Sequence, residues 1–136
     1  MKKKAIWVVD DDVIFQVIIQ KIIERSEMFS AVSIFPNGKE AFLALKAASK
    51  QNEILPDIIL LDINMPIMDG WEFMEVMSSM EDQNIKKINI CISSSSIAEE
   101  DKNRAKIYPS ILSYLSKPIT VKNLLEVMDL IKEKSA

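Results

Sequence analysis

The stretch IILLDINMPIMDG, residues 58–70, places a carboxylate directly after four apolar residues. A short apolar run that ends at turn-forming residues is typical of a strand buried on both faces of a sheet. Asp62 would then stand at the end of a buried strand, where an unpaired charge is costly. The rest of the sequence must therefore supply partners for this carboxylate.

Short apolar runs alternate with helical patterns five times along the chain. The other runs are residues 5–9, 31–35, 88–92 and 111–115. Apolar residues at helical spacing predict five helices, the first around 15–23 and the others at about 38–49, 70–80, 98–108 and 120–134. Thr120 is expected to cap the last of them. Strands that alternate with helices in this way predict an α/β fold with a parallel sheet covered on both faces.

The composition excludes several classes of protein. The 136 residues suit one domain, and a hydrophobic content of 49% is sufficient for a core. A net charge of −3 argues against a nucleic-acid partner. The sequence has no histidine, which excludes Ser-His-Asp and Cys-His catalysis and histidine metal sites. A single cysteine, Cys91, excludes structural disulfides and cysteine-rich zinc sites.

No segment has the length of a secretory signal or a membrane span. The apolar run 5–9 is too short for a signal peptide, and no stretch approaches the roughly 18 apolar residues of a membrane helix. We therefore expect a cytoplasmic protein without a membrane partner.

Residues that could bind a ligand or take part in a reaction follow four of the predicted strands. They are Asp10, Asp11 and Asp12 after the first, Asp62 after the third, Ser93 and Ser94 after the fourth, and Lys117 and Pro118 after the fifth. In an open parallel sheet these strand ends meet at one edge, where ligands bind. Clustered carboxylates repel each other unless a cation lies among them, which favours Mg²⁺. A metal and a lysine beside a carboxylate suit a phosphoryl group.

Taken singly, these residues have ordinary structural explanations. Asp12 immediately precedes the first helix and is expected to cap it. The serines 94–96 suit a loop and a helix cap, and an isolated Lys117 would be a solvated lysine. It is their joint placement at one edge that favours a functional site.

Four segments together resemble the receiver domain of two-component response regulators of the chemotaxis-regulator type. They are VVDDD at 8–12, LLDINMPIMDGWEF at 60–73, INICIS at 88–93 and YLSKP at 114–118. The resemblance covers essentially the whole chain. It implies a flavodoxin-like sheet of order 2-1-3-4-5 with five helices, and a stand-alone receiver spanning residues 1–136 with no output domain.

The resemblance also implies an acceptor and a metal site. Asp62 matches the aspartate that accepts the phosphoryl group. Asp11 and Asp62 match direct magnesium ligands, and Asp10 matches a ligand acting through water. Asn64 matches the position whose backbone carbonyl completes the site.

A second group of residues resembles the switch of the family. Ser93 matches the hydroxyl residue that binds the phosphoryl group, and Lys117 matches the lysine that pairs with it. Tyr114 matches the aromatic residue whose rotamer changes with Ser93, and the Lys117–Pro118 peptide matches a cis peptide. Lys117 is expected to gain its partner only when the phosphoryl group is present.

The implied function is signalling rather than catalysis on a separate substrate. The resemblance implies that a sensor histidine kinase or a histidine phosphotransfer protein donates the phosphoryl group in a Mg²⁺-dependent reaction. The fourth predicted helix, fifth strand and last helix would then change shape. The signal would pass to an unidentified downstream protein by contact or by phosphorelay. We expect a monomer or weak dimer.

Three alternatives remain open at this stage. A degenerate receiver would act only as a binding module. A phosphatase of haloacid-dehalogenase type would require a second aspartate where this chain has Asn64. A flavodoxin-like flavin binder fits poorly, because the acidic edge repels a phosphate and the chain has only two glycines. One further departure from the receiver pattern is Pro109, which stands where a glycine-containing turn is usual.

Overall fold

The computed structural model describes residues 4–135 and shows one parallel sheet between two layers of helices. The strands are β1 Lys4–Val9, β2 Phe29–Phe35, β3 Ile58–Leu61, β4 Asn89–Ser94 and β5 Ile111–Ser116. The helices are α1 Val13–Ser26, α2 Gly38–Gln51, α3 Gly70–Ser79, α4 Gln83–Lys86, α5 Glu99–Ala105 and α6 Val121–Ser135. The strand order is β2-β1-β3-β4-β5 and every pairing is parallel. The predicted doubly wound α/β fold is confirmed.

Both faces of the sheet are apolar because side chains alternate between them along each strand. On β1, Ile6 and Val8 join the core formed with α1 and α6. Trp7 and Val9 join the core formed with α2, α3, α4 and α5. The four residues of β3 divide between the two cores in the same way. The continuous apolar run of β3 is therefore buried on both faces of the sheet, as predicted.

The described residues form six helices, not the five expected. The additional element is α4, a single turn between α3 and β4. It begins after Asp82, whose carboxylate accepts a hydrogen bond from the backbone N–H of Asn84 at 2.8 Å, and it buries Ile85. One apolar residue in a single turn is too little to establish a helical period, so the pattern does not reveal it.

The segment from β4 to α5 differs in detail from the prediction. Ser93 and Ser94 lie within β4, which is longer than the apolar run 88–92. Helix α5 is shorter than the predicted 98–108, and its start is not capped by a serine. Instead, Asp101 accepts a hydrogen bond from the backbone N–H of Ala98 at 3.0 Å.

Three local features follow from familiar residue preferences. Asp12 caps α1 as predicted, accepting hydrogen bonds from the N–H groups of the second and third helical residues. Thr120 Oγ1 accepts one from the N–H of Asn123 at 3.1 Å, as expected of a cap. Residues 108–111 form a turn closed by the N–H of Ile111 donating to the carbonyl of Tyr108 at 3.0 Å. Pro109 occupies the second position of this turn, where its restricted φ is favourable, so no glycine is needed.

Among residues 4–135, the helices are either too short or too polar to cross a membrane.

Gly70 brings the start of α3 into contact with the peptide group of Asp62. The Gly70 N–H donates to the carbonyl of Ile63 at 2.8 Å. A Cβ atom at position 70 would lie 2.5 Å from the carbonyl oxygen of Asp62, which is shorter than any normal contact. The fold at this point therefore requires a residue without a side chain.

We predict that Gly70→Ala lowers the free energy of unfolding by about 1–3 kcal/mol, because the added methyl group meets backbone that cannot rotate away. Denaturation in urea measures the change. Ser79→Ala, at the exposed end of the same helix, is the control and should stay within about 0.5 kcal/mol of the wild type. Equal stability of both variants would contradict the close approach.

Candidate functional site

The register of the sheet brings the predicted site residues together. The last paired residues of β1 and β3, with their partner on β4, lie side by side: Val9, Leu61 and Ile92. The residues that follow them, Asp10, Asp62 and Ser93 respectively, therefore lie side by side at the carboxyl edge of the sheet. The backbone N–H of Asp62 continues the pairing by donating to the carbonyl of Val9 at 2.9 Å.

Three carboxylates converge at this edge. Asp10, Asp11 and Asp62 each offer an oxygen, and these oxygens lie within 4.8 Å of one another. Asp10 is 1% exposed and Asp62 is 7% exposed, whereas Asp11 is exposed to solvent. Oxygen ligands at this spacing, from residues that repel each other when charged, are what a divalent cation such as Mg²⁺ binds. Asn64, also expected at the metal site, lies exposed on the loop that follows Asp62.

Lys117 reaches the same cluster from the end of β5. Its Nζ lies 2.6 Å from Oδ2 of Asp10 and 3.8 Å from Oδ2 of Asp62. The expectation that Lys117 gains a partner only with a phosphoryl group is therefore wrong. The reason is the depth of Asp10, because a carboxylate so completely removed from water must be paired.

Burial raises the pKa values of both inner carboxyl groups. For Asp62 the pKa rises to about 6, mainly through burial and then through the negative charge of Asp10, while the charge of Lys117 acts against the rise. For Asp10 burial also raises the pKa, and the hydrogen bond from Lys117 opposes it. Asp62 therefore changes its charge close to neutral pH when no cation is bound.

Ser93 contributes a buried hydroxyl group to the edge. Its Oγ has no hydrogen-bond partner among the described residues. Since an unsatisfied buried hydroxyl is unfavourable, this group is available to a ligand that carries hydrogen-bond acceptors. Tyr114, the predicted switch residue, is 42% exposed on β5, and the ammonium group of Lys102 lies 5.7 Å from its ring centroid.

Two contacts at the site have no signal in the sequence. The Phe15 ring lies beneath Lys117, with Nζ 4.2 Å from the ring centroid. The side-chain amide of Gln16 donates to the backbone carbonyl of Asp10 at 2.6 Å. Both residues belong to the first turn of α1, where periodicity indicates only which side chains face the core. The Lys117–Pro118 peptide is cis, the arrangement that the resemblance implies.

The sequence matches one known protein family over most of its length. The family model of the response regulator receiver domain matches residues 6–129. The chain belongs to this family. The match covers both ends of the sheet and every residue of the acidic cluster. It does not favour the phosphatase or flavin-binding alternatives.

Solved structures of response regulators share the whole fold. A two-component response regulator from Cytophaga hutchinsonii is 27% identical, with a TM-score of 0.86 and coverage of 97% of this receiver and 99% of that chain. The receiver domain of sensor histidine kinase PA1611 from Pseudomonas aeruginosa is 20% identical, with a TM-score of 0.72 over 93% and 95% of the two chains. That structure has a magnesium ion coordinated in its active-site cleft. At this identity the likeness establishes the fold alone.

Curated relatives include larger proteins. One is protein-glutamate methylesterase/protein-glutamine glutaminase 2 of Carboxydothermus hydrogenoformans, 34% identical over 70 residues, which are 52% of this chain. The matched region is 18% of that protein. This chain thus spans about a fifth of the length of the methylesterases it matches, and the similarity concerns their receiver part.

We predict that Asp62→Asn stabilises the metal-free receiver at pH 7.5 by about 1–3 kcal/mol. Folding raises the pKa of Asp62 to about 6 from its ordinary value of 3.8, so the folded state favours the proton. The stabilisation from the protonated carboxyl is complete below pH 4 and is lost as the pH rises through about 6. Asparagine resembles the protonated form at every pH.

Thermal unfolding in a metal chelator, at pH 4 and pH 7.5, measures the effect. The stabilising effect of Asp62→Asn should be much smaller at pH 4. Asp129→Asn, on the exposed side of α6, is the matched control and should remain within about 0.5 kcal/mol of the wild type at both values. A gain from Asp62→Asn that did not depend on pH would show that the cause is not the carboxylate charge.

Proposed function

We propose that Asp62 accepts a phosphoryl group from a phosphohistidine on a partner protein and that the resulting charge switches the receiver between two states. The observation that carries this proposal is the position of Asp62. Its carboxylate lies near the surface end of a buried strand, within 4.8 Å of two further carboxylates and 3.8 Å from an ammonium group. Carboxylates that can bind a cation and an ammonium group that can pair with a phosphoryl group thus surround a single nucleophile, Asp62.

Asp10, Asp11 and Asp62 fit a magnesium ion by their chemistry, since carboxylate oxygens are its preferred protein ligands. The family resemblance adds the backbone carbonyl of Asn64 and assigns Asp10 a contact through water. When bound, Mg²⁺ supplies positive charge that offsets the charges of the carboxylates and of a phosphoryl group. It would also keep Asp62 deprotonated at a pH where burial alone favours the proton.

The transfer is an exchange of one bond for another. An oxygen of Asp62 forms a bond to phosphorus as the phosphorus–nitrogen bond of the donor's phosphohistidine breaks. The donor imidazole carries a proton on its other nitrogen, so that it leaves as a neutral group. The product on this chain is an acyl phosphate. No histidine is needed here, in agreement with its absence from the sequence.

The acyl phosphate gives Lys117 and Ser93 a new partner. Lys117 already lies 3.8 Å from Asp62 while it is bonded to Asp10 at 2.6 Å, so a small movement would redistribute its contacts. Ser93 has a buried Oγ that would donate to a phosphoryl oxygen. Contacts that form in only one state shift the equilibrium between two states. We propose that the rotamer of Tyr114 changes with this shift between the two states.

We further propose that the receiver acts through protein contacts or as a phosphorelay intermediate and has no enzymatic activity on a separate substrate. The similarity to the methylesterases is confined to about a fifth of their length. We expect the phosphoryl transfer to take place in the cytoplasm, where Cys91, a buried thiol, stays reduced.

The surface beside the site fits a protein donor. Four exposed apolar residues lie on α1: Val13, Ile14, Val17 and Ile18. A cavity of about 350 Å³ is lined by Ile14, Ile18, Lys117 and Pro118, among others. Because Lys117 belongs both to this cavity and to the acidic cluster, the face lies directly beside the route to Asp62. We therefore assign the face to the phosphohistidine-bearing partner.

Acetyl phosphate with Mg²⁺ tests the acceptor. We expect it to add one phosphoryl group to the wild type and none to Asp62→Asn, as measured by intact-protein mass spectrometry. A stable phosphoryl group on a serine would overturn the assignment.

Two neighbouring carboxylates provide a matched test of the metal in the same assay. Asp11→Asn removes a ligand, whereas Asp12→Asn removes the same charge and leaves an effective helix cap. Asp11→Asn should need at least tenfold more Mg²⁺, an effect of about 1.4 kcal/mol or more, and Asp12→Asn should resemble the wild type. The same requirement in both variants would remove Asp11 from the metal site.

Ile14→Ser tests the donor face. The variant should slow transfer from the protein donor by about tenfold, because an apolar anchor is lost, and should leave modification by acetyl phosphate unchanged. Leu43→Ser, an exposed apolar residue of α2, is the control. Comparing initial rates with a phosphorylated kinase or phosphotransfer protein measures both. An unaltered rate with the protein donor would show that the donor docks elsewhere.

A further inference from the structure

Helix α5 is held in place largely by polar and aromatic contacts. It has seven residues, all of them described, and of these Ala105 alone is buried. A helix of this length is not stable by itself and depends on its neighbours for its position. The contacts that it makes with α3 and β5 therefore decide where it lies.

Trp71 provides the principal contact from α3. The side chain is 4% exposed, and its indole N–H donates to Oδ1 of Asp101 at 3.1 Å. The other oxygen of Asp101 accepts the hydrogen bond from the backbone N–H of Ala98 at 3.0 Å. A single carboxylate thus holds the start of helix α5 and binds it to the indole.

Two further residues extend this contact. The guanidinium group of Arg104 lies 5.2 Å from the centroid of the Trp71 ring, within the range of a cation–π contact. The ring of Tyr108 stacks on Trp71 with centroids 6.2 Å apart and an interplanar angle of 18°. The hydroxyl of Tyr108 donates to Oε2 of Glu75 at 3.1 Å. Asp101 and Arg104 lie one turn apart on helix α5, and Trp71 and Glu75 lie one turn apart on α3. Tyr108 follows helix α5, and together these side chains form one continuous interface.

The other end of this connection is the backbone of Asp62. Trp71 directly follows Gly70, whose N–H is bonded to the carbonyl of Ile63 at 2.8 Å. There is no space for a Cβ atom between Gly70 and the carbonyl oxygen of Asp62. A shift of the Asp62 peptide group therefore displaces the backbone next to Trp71, with no flexible segment to absorb it.

We propose that Trp71 is a positioning residue that couples a change at Asp62 to the placement of helix α5. The inference rests on the proposed function, because it needs a modification of Asp62 as its input. The coupling runs from the peptide group of Asp62 through Gly70 to the indole, and from the indole through Asp101 to the start of the helix. Arg104 and Lys102 place a cation on each side of the helix, over Trp71 and Tyr114 respectively. Helix α5 thus contacts Trp71 on one side and Tyr114 on the other.

Nuclear magnetic resonance with beryllofluoride and Mg²⁺, a phosphoryl analogue, tests the coupling. The chain has two tryptophans, so the spectrum contains two indole N–H signals, and Trp71→Phe assigns one of them. In the wild type we expect this signal and the amides of residues 99–105 to shift on addition. Asp101→Ala should still bind beryllofluoride at Asp62, as its loop amides report, but the shifts in helix α5 should fall at least about twofold.

Two further variants separate coupling from simple loss of structure. Asp101→Asn keeps the shape of the side chain and one acceptor oxygen, and should give a reduction smaller than that of Asp101→Ala. Glu100→Gln removes a carboxylate from the exposed side of the same helix and should respond as the wild type does.

The outcomes distinguish this inference from the function on which it rests. If Asp62 binds beryllofluoride and helix α5 responds fully in both Asp101 variants, the coupling is overturned and the proposed function stands. An equal reduction in Glu100→Gln also overturns it, since the effect would then be one of charge alone. Should the wild type bind no beryllofluoride at Asp62, both the function and the coupling fail. If Asp101→Ala does not fold, the responses of Asp101→Asn and Trp71→Phe decide in the same way.

Discussion

The pairing of Lys117 with two buried carboxylates is the interaction on which the site depends. Asp10 and Asp62 lie at the ends of adjacent strands, where the fold removes them from water but cannot separate them. The ammonium group of Lys117, 2.6 Å from one and 3.8 Å from the other, offsets part of their repulsion. Burial, followed by the remaining excess of negative charge, explains the raised pKa of Asp62. The excess of negative charge also makes the site suitable for a cation.

The backbone around Asp62 is held rigidly because both glycines of the chain pack against the same loop. Gly70 contacts the Asp62 peptide group, and Gly38, at the start of α2, donates its N–H to the carbonyl of Met68 at 3.0 Å. A Cβ at position 38 would lie 2.9 Å from that carbonyl oxygen. Two helices thus meet the loop without intervening side chains, so the position of the carboxylate is set by backbone contacts.

The two sides of the carboxyl edge have different chemistry. Helix α1 exposes Val13 and Ile14 next to the acidic cluster, as a surface that is covered by another protein would. Helix α5 has charged and polar residues and a single buried one. The first surface suits a partner that delivers the phosphoryl group, and the second suits an element whose position changes. One edge can therefore serve for input and for output.

The sequence by itself determined the order of the elements and the location of the site. Apolar runs and helical spacing predicted a parallel sheet, and parallel strands necessarily bring Asp10, Asp62 and Lys117 to the same edge. Asp12 and Thr120 were recognisable as caps because a cap bonds to residues only two or three positions away. The extra turn α4 was absent from the pattern, and several elements, among them α1, β2, β4 and α5, have bounds that differ from the predicted ones by one to three residues.

The tertiary structure decided which of these side chains are paired. Lys117 pairs with Asp10 because Asp10 is deeply buried, and the alternation of residues along a strand does not show how deep a strand end lies. Ser93 is buried without a hydrogen-bond partner among residues 4–135. Trp71 finds Asp101 thirty residues away. Such contacts depend on the depth and register of elements distant in sequence, and local periodicity carries no information about either.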